Sequence, residues 1–157
     1  MASISGANMI WLKGDFGQHE EGRLKAAAYP GMNVVMTNDF EEQGRFTYTP
    51  GSSSYVGTGT DVTAASAPLM VLKEDALQGK TVDDVYAADS GCFIYIPLPG
   101  DILQVLVLSG QTVRQGDGLS ANSAGKFIVD ATEPAVQALE RSNGALAADT
   151  LVRARVL

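Results

Sequence analysis

The sequence predicts an all-β protein, folded as a compact β-sandwich or small barrel. Short segments rich in apolar, β-branched and aromatic residues recur at intervals of roughly eight to twelve residues, a spacing typical of such folds. Glycine and proline turns separate these segments, and the 17 glycines and 6 prolines favour turns over long helices. A chain of 157 residues is long enough to bury a substantial core as one domain.

The first 30 residues show no sustained hydrophobic period, so they predict an irregular N-terminal arm over 1–30, ahead of a β domain over 31–157. The alternative is a strand or loop that lies over the main core. Four aromatic residues of the N-terminal third are predicted to contact a partner, because aromatic side chains contribute much of the binding energy at interfaces. These residues are Trp11, Phe16, Phe46 and Tyr48.

Two short strands and a loop are predicted to follow. A Pro30-Gly31 turn precedes a strand at 32–36, and the aromatic and β-branched residues at 45–49 are typical of a second strand. From 51 to 67 the chain is almost wholly small and polar. That composition predicts a flexible Gly/Ser/Thr-rich loop that buries no core of its own.

One short helix is predicted near 81–88. Thr81 and Asp84 have the spacing of a helix N-cap and an acid at the third helical position, and Asp83 adds a second negative charge at the positive end of the dipole. The Asp-Ser-Gly sequence at 89–91 ends the helix. The two adjacent aspartates therefore indicate helix-end chemistry rather than a general acid and base.

A central strand is predicted over 102–108, which is apolar on both faces except at Gln104. Leu106 is therefore predicted to be a core residue. A shorter strand at 93–96 precedes it, and the prolines between the two prevent continuous pairing because proline lacks an amide donor. At 151–157 apolar and basic residues alternate, as in a strand with one buried face.

The charge pattern argues against a nucleic-acid partner. The net charge is −7, and the 11 basic residues are scattered rather than clustered as phosphate binding requires. Apolar stretches such as 105–108 are far too short to span a membrane. No secretory signal is recognisable at the N-terminus, so we expect synthesis in a reducing cytoplasm and no membrane partner.

The residues that carry most enzyme chemistry are missing or isolated. His19 is the only histidine, which removes multi-histidine metal sites and most imidazole catalysis. There is no G-x-S-x-G elbow, and the spacing of Gly118 and Gly125 departs from that of a phosphate loop. Cys92, the only cysteine, is expected to be a buried structural thiol. The sequence predicts no enzyme, no cofactor and no metal.

A series of short motifs between residues 72 and 126 has a characteristic order and spacing. These are Gln78-Gly79-Lys80, Val82-Asp83-Asp84-Val85-Tyr86-Ala87-Ala88, Tyr95-Ile96-Pro97, Pro99-Gly100-Asp101, Gly116-Asp117 and Ala124-Gly125-Lys126. Together they resemble the head decoration (cement) proteins of tailed bacteriophages, over about half of the chain. No single motif is specific, since each is also good turn or strand chemistry.

The resemblance implies a structural protein of the virion, made in the cytoplasm of the bacterial host. It implies binding to the major capsid protein on the outer face of the head, where it stabilises the expanded shell. It also implies a homo-oligomer, with a trimer favoured over a dimer. The alternative is a carbohydrate- or host-surface-binding β-sandwich module of a phage fibre.

A less favoured alternative is a biotinyl- or lipoyl-like carrier domain. The strand at 102–107 and the Gly-Asp turn at 116–117 look like one half of such a domain. Carriers attach the cofactor to a lysine in an exposed hairpin, commonly flanked by methionine or acidic residues. Here the only following lysine is Lys126, between Gly125 and Phe127, so the similarity fails at the residue that carries the function.

Overall fold

The computed structural model of the protein describes residues 2–4, 6, 8–14, 18–37, 46–53 and 69–157. In these ranges the strands are, in chain order, β1 (Ala2–Ser3), β2 (Trp11–Lys13), β3 (Gln18–Leu24), β4 (Val34–Met36), β5 (Thr47–Pro50), β6 (Val71–Lys73), β7 (Gly91–Ile96), β8 (Ile102–Val107), β9 (Gly118–Ala121), β10 (Phe127–Val129), β11 (Val136–Ala138) and β12 (Thr150–Val156). A short 3-10 helix spans Ala76–Gln78. The predicted all-β class is confirmed: the strands form a barrel and a second, half-barrel sheet.

The first sheet closes on itself. Its strand order is β1-β12-β11-β9-β10-β8-β2, and β12 also pairs with β8, so β8, β12, β11, β9 and β10 form a ring. Strands β1 and β2 pair with β12 and β8 from outside this ring. Alternate residues of a barrel strand point inward. Alternate side chains of β8 are fully buried, as are side chains of two other ring strands. They are Leu103, Val105 and Val107 of β8, Leu119 of β9 and Phe127 of β10.

The second sheet has the strand order β4-β5-β3-β7-β6, and its two edges meet. The amide of Val34 donates to the Met70 carbonyl at 2.9 Å, and the amide of Leu72 donates to the Met32 carbonyl at 2.9 Å. The sheet therefore curls around its own buried side chains. These include Leu24, Val34, Tyr48, Leu72 and Ile94.

Strand β8 is covered on both faces, as the sequence predicts. Leu106 is fully buried, and its amide donates to the Gly31 carbonyl at 2.8 Å, shortly before β4 of the second sheet. Gln104 is also buried; its Nε2 donates to the Met9 carbonyl at 2.7 Å and its Oε1 accepts from the Ser3 hydroxyl at 2.5 Å. These bonds satisfy the one polar side chain of the strand and connect it to the N-terminal segment.

The segment 1–30, predicted as an irregular arm ahead of a β domain over 31–157, contributes strands to both sheets in its described part. Strand β3 lies between β5 and β7 in the second sheet, and β1 and β2 pair with barrel strands. Ile10 and Leu24 are fully buried. The hydrophobic period was hidden because Gly22 takes an inward position: a Cβ there would lie 2.4 Å from the Tyr48 ring, so the ring fills the space of a side chain.

The prediction of a helix near 81–88 is wrong, although the hydrogen bonds expected at its capped start are present. The amide of Thr81 donates to Asp84 Oδ2 at 2.7 Å, and the amide of Asp83 donates to Thr81 Oγ1 at 3.3 Å. These bonds close a single turn. The chain then extends, and Tyr86 pairs with Ala28 through two backbone bonds of 2.9 and 3.1 Å. Burial of the Tyr86 ring against the core outweighs the local helical signal.

The start of the loop predicted at 51–67 is hydrogen-bonded to the barrel. Ser52 Oγ donates to the Ala121 carbonyl at 2.9 Å, and the amide of Ala121 donates to Ser53 Oγ at 2.7 Å. The remaining residues, 54–67, lie outside the described part of the chain. Their predicted flexibility stays a prediction.

The turn at 97–100 carries the chain from the second sheet into the barrel. Asp101 is buried and accepts hydrogen bonds from the Tyr95 hydroxyl and from the Leu98 amide, the latter at 2.9 Å. Burial, together with the bond to Asp101, raises the pKa of Tyr95 far above its ordinary value. The hydroxyl therefore stays protonated and keeps donating across the turn.

Gly31 lies where the two sheets meet. Its amide donates to the Leu72 carbonyl of β6, and its carbonyl accepts from Leu106 of β8, both at 2.8 Å. It has a positive φ of 88°. A Cβ at this position would lie 2.6 Å from Leu151 Cδ2 and 3.0 Å from the Leu106 nitrogen, so only glycine fits without movement.

Gly31→Ala is expected to destabilise the protein more than Gly110→Ala. The two glycines have similar φ values, 88° and 83°, but nothing lies within 4 Å of a Cβ at Gly110. The backbone term, about 1–2 kcal/mol, is common to both variants. Crowding adds roughly 1–3 kcal/mol at Gly31 alone. Denaturant unfolding of the two variants measures the difference in the free energy of unfolding. Equal losses of that free energy would show that the residues packed around Gly31 adjust to the added methyl group without cost.

Candidate partner-binding surface

The four aromatic residues predicted to contact a partner do not share one kind of environment. Phe46 is 54% exposed, whereas Trp11 is half-buried on β2, opposite Leu103 of β8. Tyr48 is a core residue with 0% exposed, and its hydroxyl donates to Glu20 Oε2 at 2.6 Å. Phe16 lies outside the described residues. Tyr48 therefore supports the second sheet from inside, and Phe46 stays available for contact.

A different apolar surface lies on the outside of the second sheet. We call it the Leu77 face, and it consists of Leu77, Val85 and Phe93. Leu77 is 84% exposed and Val85 is 45% exposed, while Phe93 of β7 is half-buried. Two hollows of about 330 and 280 Å³ lie against it; both are lined by Phe93 and Glu21, with Val85 in the first and Leu77 in the second.

The 3-10 helix that carries Leu77 is held at both ends. Asp75 Oδ1 accepts from the Gln78 amide at 3.2 Å, and the Asp75 carbonyl accepts from the Lys80 amide at 3.0 Å. Gly79 takes the left-handed conformation after the helix, and its amide donates to the Ala76 carbonyl at 3.1 Å. Leu77 is thus presented to solvent by a hydrogen-bonded turn.

Val85 is fixed by the residue that follows it. The Tyr86 hydroxyl donates to the Lys73 carbonyl of β6 at 2.7 Å, and the Tyr86 backbone pairs with Ala28. Because neighbouring residues of an extended chain point to opposite sides, the burial of Tyr86 turns Val85 outward. The segment 75–86 is therefore attached to the sheet beneath it.

Carboxylates outnumber ammonium groups around the Leu77 face. The charged residues that line the two hollows are Glu20, Glu21, Lys73, Glu74, Asp75 and Lys80. Two more acids, Asp83 and Asp84, immediately precede Val85 and are exposed. The buried Glu74 accepts from the Ile10 amide at 3.0 Å, so it stabilises the fold, whereas Glu21 is exposed at the rim.

The titratable side chains near this surface lack the features of a nucleophile or metal site. Burial raises the pKa of the Cys92 thiol to about 12, so it is protonated at neutral pH and a poor nucleophile. His19 stacks on Tyr95 with ring centroids 5.1 Å apart, and partial burial and the charge of Lys73 lower its pKa. Among the described residues no group of three or more His, Cys, Asp or Glu could hold a metal ion.

The Leu77 face could not be found from the sequence. Its three members lie on a turn, a bridge and a strand, and only the pairing of β3, β6 and β7 brings them together. Single exposed apolar residues are common on protein surfaces, so Leu77 alone carries no signal.

The described part of the chain also holds no helix long and apolar enough to cross a bilayer.

A closed barrel of five strands packed beside a curled second sheet defines a double-sheet, all-β class of fold. A solved structure with this fold is the N base of the head fibre protein gp8.5 of bacteriophage phi29. The TM-score is 0.52 and the sequence identity 10%, over 89% of this chain and 93% of that chain. No protein-family model matches the sequence, and no curated protein matches it. The likeness therefore concerns the fold.

Proposed function

We propose that the protein is a structural component of a tailed-phage head that binds the outer surface of the shell and stabilises it in its expanded form. The observation that carries this proposal is the fold shared with a phage head-fibre base, which extends over 89% of this chain. The ordered motifs between 72 and 126, which resemble head decoration proteins, support the same assignment from the sequence.

The physical properties of the molecule suit such a role. The two sheets form a body held by long-range pairings, and an exposed apolar face projects from it. The major capsid protein is the proposed partner, and a homo-oligomer, with a trimer favoured over a dimer, is proposed from the family resemblance. Repetition over many equivalent sites of a shell gives avidity that a single small contact lacks.

The test is to mix the purified protein with expanded shells that lack it, to pellet the shells and to count bound copies. We expect saturable, stoichiometric binding and a raised resistance of the shells to heat or low salt. Unassembled capsid protein is the control, because a site that spans several subunits forms only when those subunits are correctly spaced. Absent binding, or equal binding to shells and free subunits, would overturn the proposal.

A further inference from the structure

We infer that the Leu77 face is the surface that docks on the shell, and that its partner presents an apolar depression bordered by lysine or arginine side chains. This inference rests on the proposed function and names the surface and the partner chemistry for it. Leu77 has the largest exposed fraction among the exposed large hydrophobic side chains of the described residues, 84%. A side chain so exposed loses much unfavourable contact with water when a partner covers it.

The Leu77 face needs little ordering before it binds. The turn around Leu77 is closed by the Asp75 and Gly79 hydrogen bonds, and Val85 is fixed by the pairing of Tyr86. Immobilising a flexible side chain or loop subtracts from affinity, so apolar groups on a pre-formed surface bind more tightly than the same groups on a mobile arm. Phe93 and the two hollows beside it form a concave base for the partner to contact.

The charges around the face indicate what the partner presents. Four carboxylates that are exposed or half-buried lie in or next to the hollows, together with two ammonium groups: Glu20, Glu21, Asp83 and Asp84 against Lys73 and Lys80. The side chains at the border of the face therefore carry an excess of negative charge, of the same sign as the net charge of −7. Complementary potentials steer association and disfavour wrong partners. An acidic border around apolar side chains therefore fits a basic border around an apolar depression.

Other exposed apolar residues are less suited to be the docking surface. Leu98 is 49% exposed but lies on the turn at the opposite end of β7 from Phe93. Phe46 is 54% exposed, and its carbonyl accepts from the Arg23 amide of β3. Neither residue lines either hollow.

The test uses the shell-binding measurement with two neutral polar substitutions, Leu77→Ser and Val85→Ser, alone and combined. Leu98→Ser is the matched control, because it removes an exposed aliphatic side chain elsewhere. We expect the combined variant to bind at least about tenfold more weakly, as for residues at the centre of an interface, and the control to bind as the unmodified protein does. Unchanged thermal melting of each variant shows that folding is intact.

The outcomes separate this inference from the proposed function. If the unmodified protein does not bind shells, both fall together. If it binds and the combined variant binds equally well, the proposed function stands and the Leu77 face is overturned. Glu21→Gln tests the partner chemistry: we expect slower association and a weaker dependence of the association rate on salt. An unchanged rate and salt dependence would overturn the basic border.

Discussion

Deletion of residues 2–29 is expected to abolish cooperative folding. The deletion removes β1, β2 and β3, and β3 joins β5 to β7 in the second sheet. It also removes Ile10 and Leu24, both fully buried, and exposes the inner side of Tyr48. Loss of a central strand exposes two new sheet edges and the core to water. The free-energy cost of this exposure exceeds the total stability of most domains.

Circular dichroism and thermal unfolding of the truncated chain measure this effect. A truncation that removes only Ala2 and Ser3 is the control, because β1 is a two-residue pairing on β12 and its loss leaves the second sheet complete. A sigmoidal melting curve and a native-like spectrum for the 2–29 deletion would contradict the structure. They would indicate that these residues serve binding more than folding.

Leu106→Ala is expected to destabilise the protein by about 2–5 kcal/mol, through lost transfer energy and the cavity left behind. Leu106 has 0% of its surface exposed, between the barrel and the Gly31 junction. The cavity cannot collapse easily, because Gly31 and Leu151 on its borders are themselves packed against each other.

Urea or guanidinium unfolding gives the free-energy difference for this variant. Leu98→Ala is the comparison, since Leu98 is 49% exposed and its truncation should change the free energy of unfolding by less than about 0.5 kcal/mol. A loss below about 1 kcal/mol at Leu106 would place β8 at an exposed edge, contrary to its pairing with β12, β2 and β10.

The sequence predicted those elements in which one physical signal dominates. Strands β7, β8 and β12 carry strong apolar periodicity, and they lie where the pattern placed them. Strand β3 was missed because Glu20 and Gly22 take inward positions and only Leu24 of its inward residues is apolar, so no alternation of apolar and polar residues is visible. The helix near 81–88 was predicted from capping bonds that exist, but the pairing of Tyr86 with the distant Ala28 decides the conformation. Such pairings are invisible to local patterns.

The candidate surface was predicted less well than the fold. Aromatic content was the only available guide to partner contact, and it does not separate a buried ring such as Tyr48 from an exposed one such as Phe46. The Leu77 face depends on which strands are neighbours, so it requires the topology. Fold class follows from composition and turn spacing, whereas surfaces assembled from distant segments follow only from the three-dimensional pairing.

The pairing of β12 has a consequence for biosynthesis. While the nascent chain is still on the ribosome, β8 is complete long before the residues that pair with it along Ile102–Val107. Ala2 and Ser3 of β1 also pair with β12, so they too have no partner strand until β12 is synthesised. During that interval an apolar strand has a free edge, which is the condition under which two growing chains can associate wrongly. Closure of the barrel therefore requires β12, and the edge of β8 that pairs with it stays open until β12 has been synthesised.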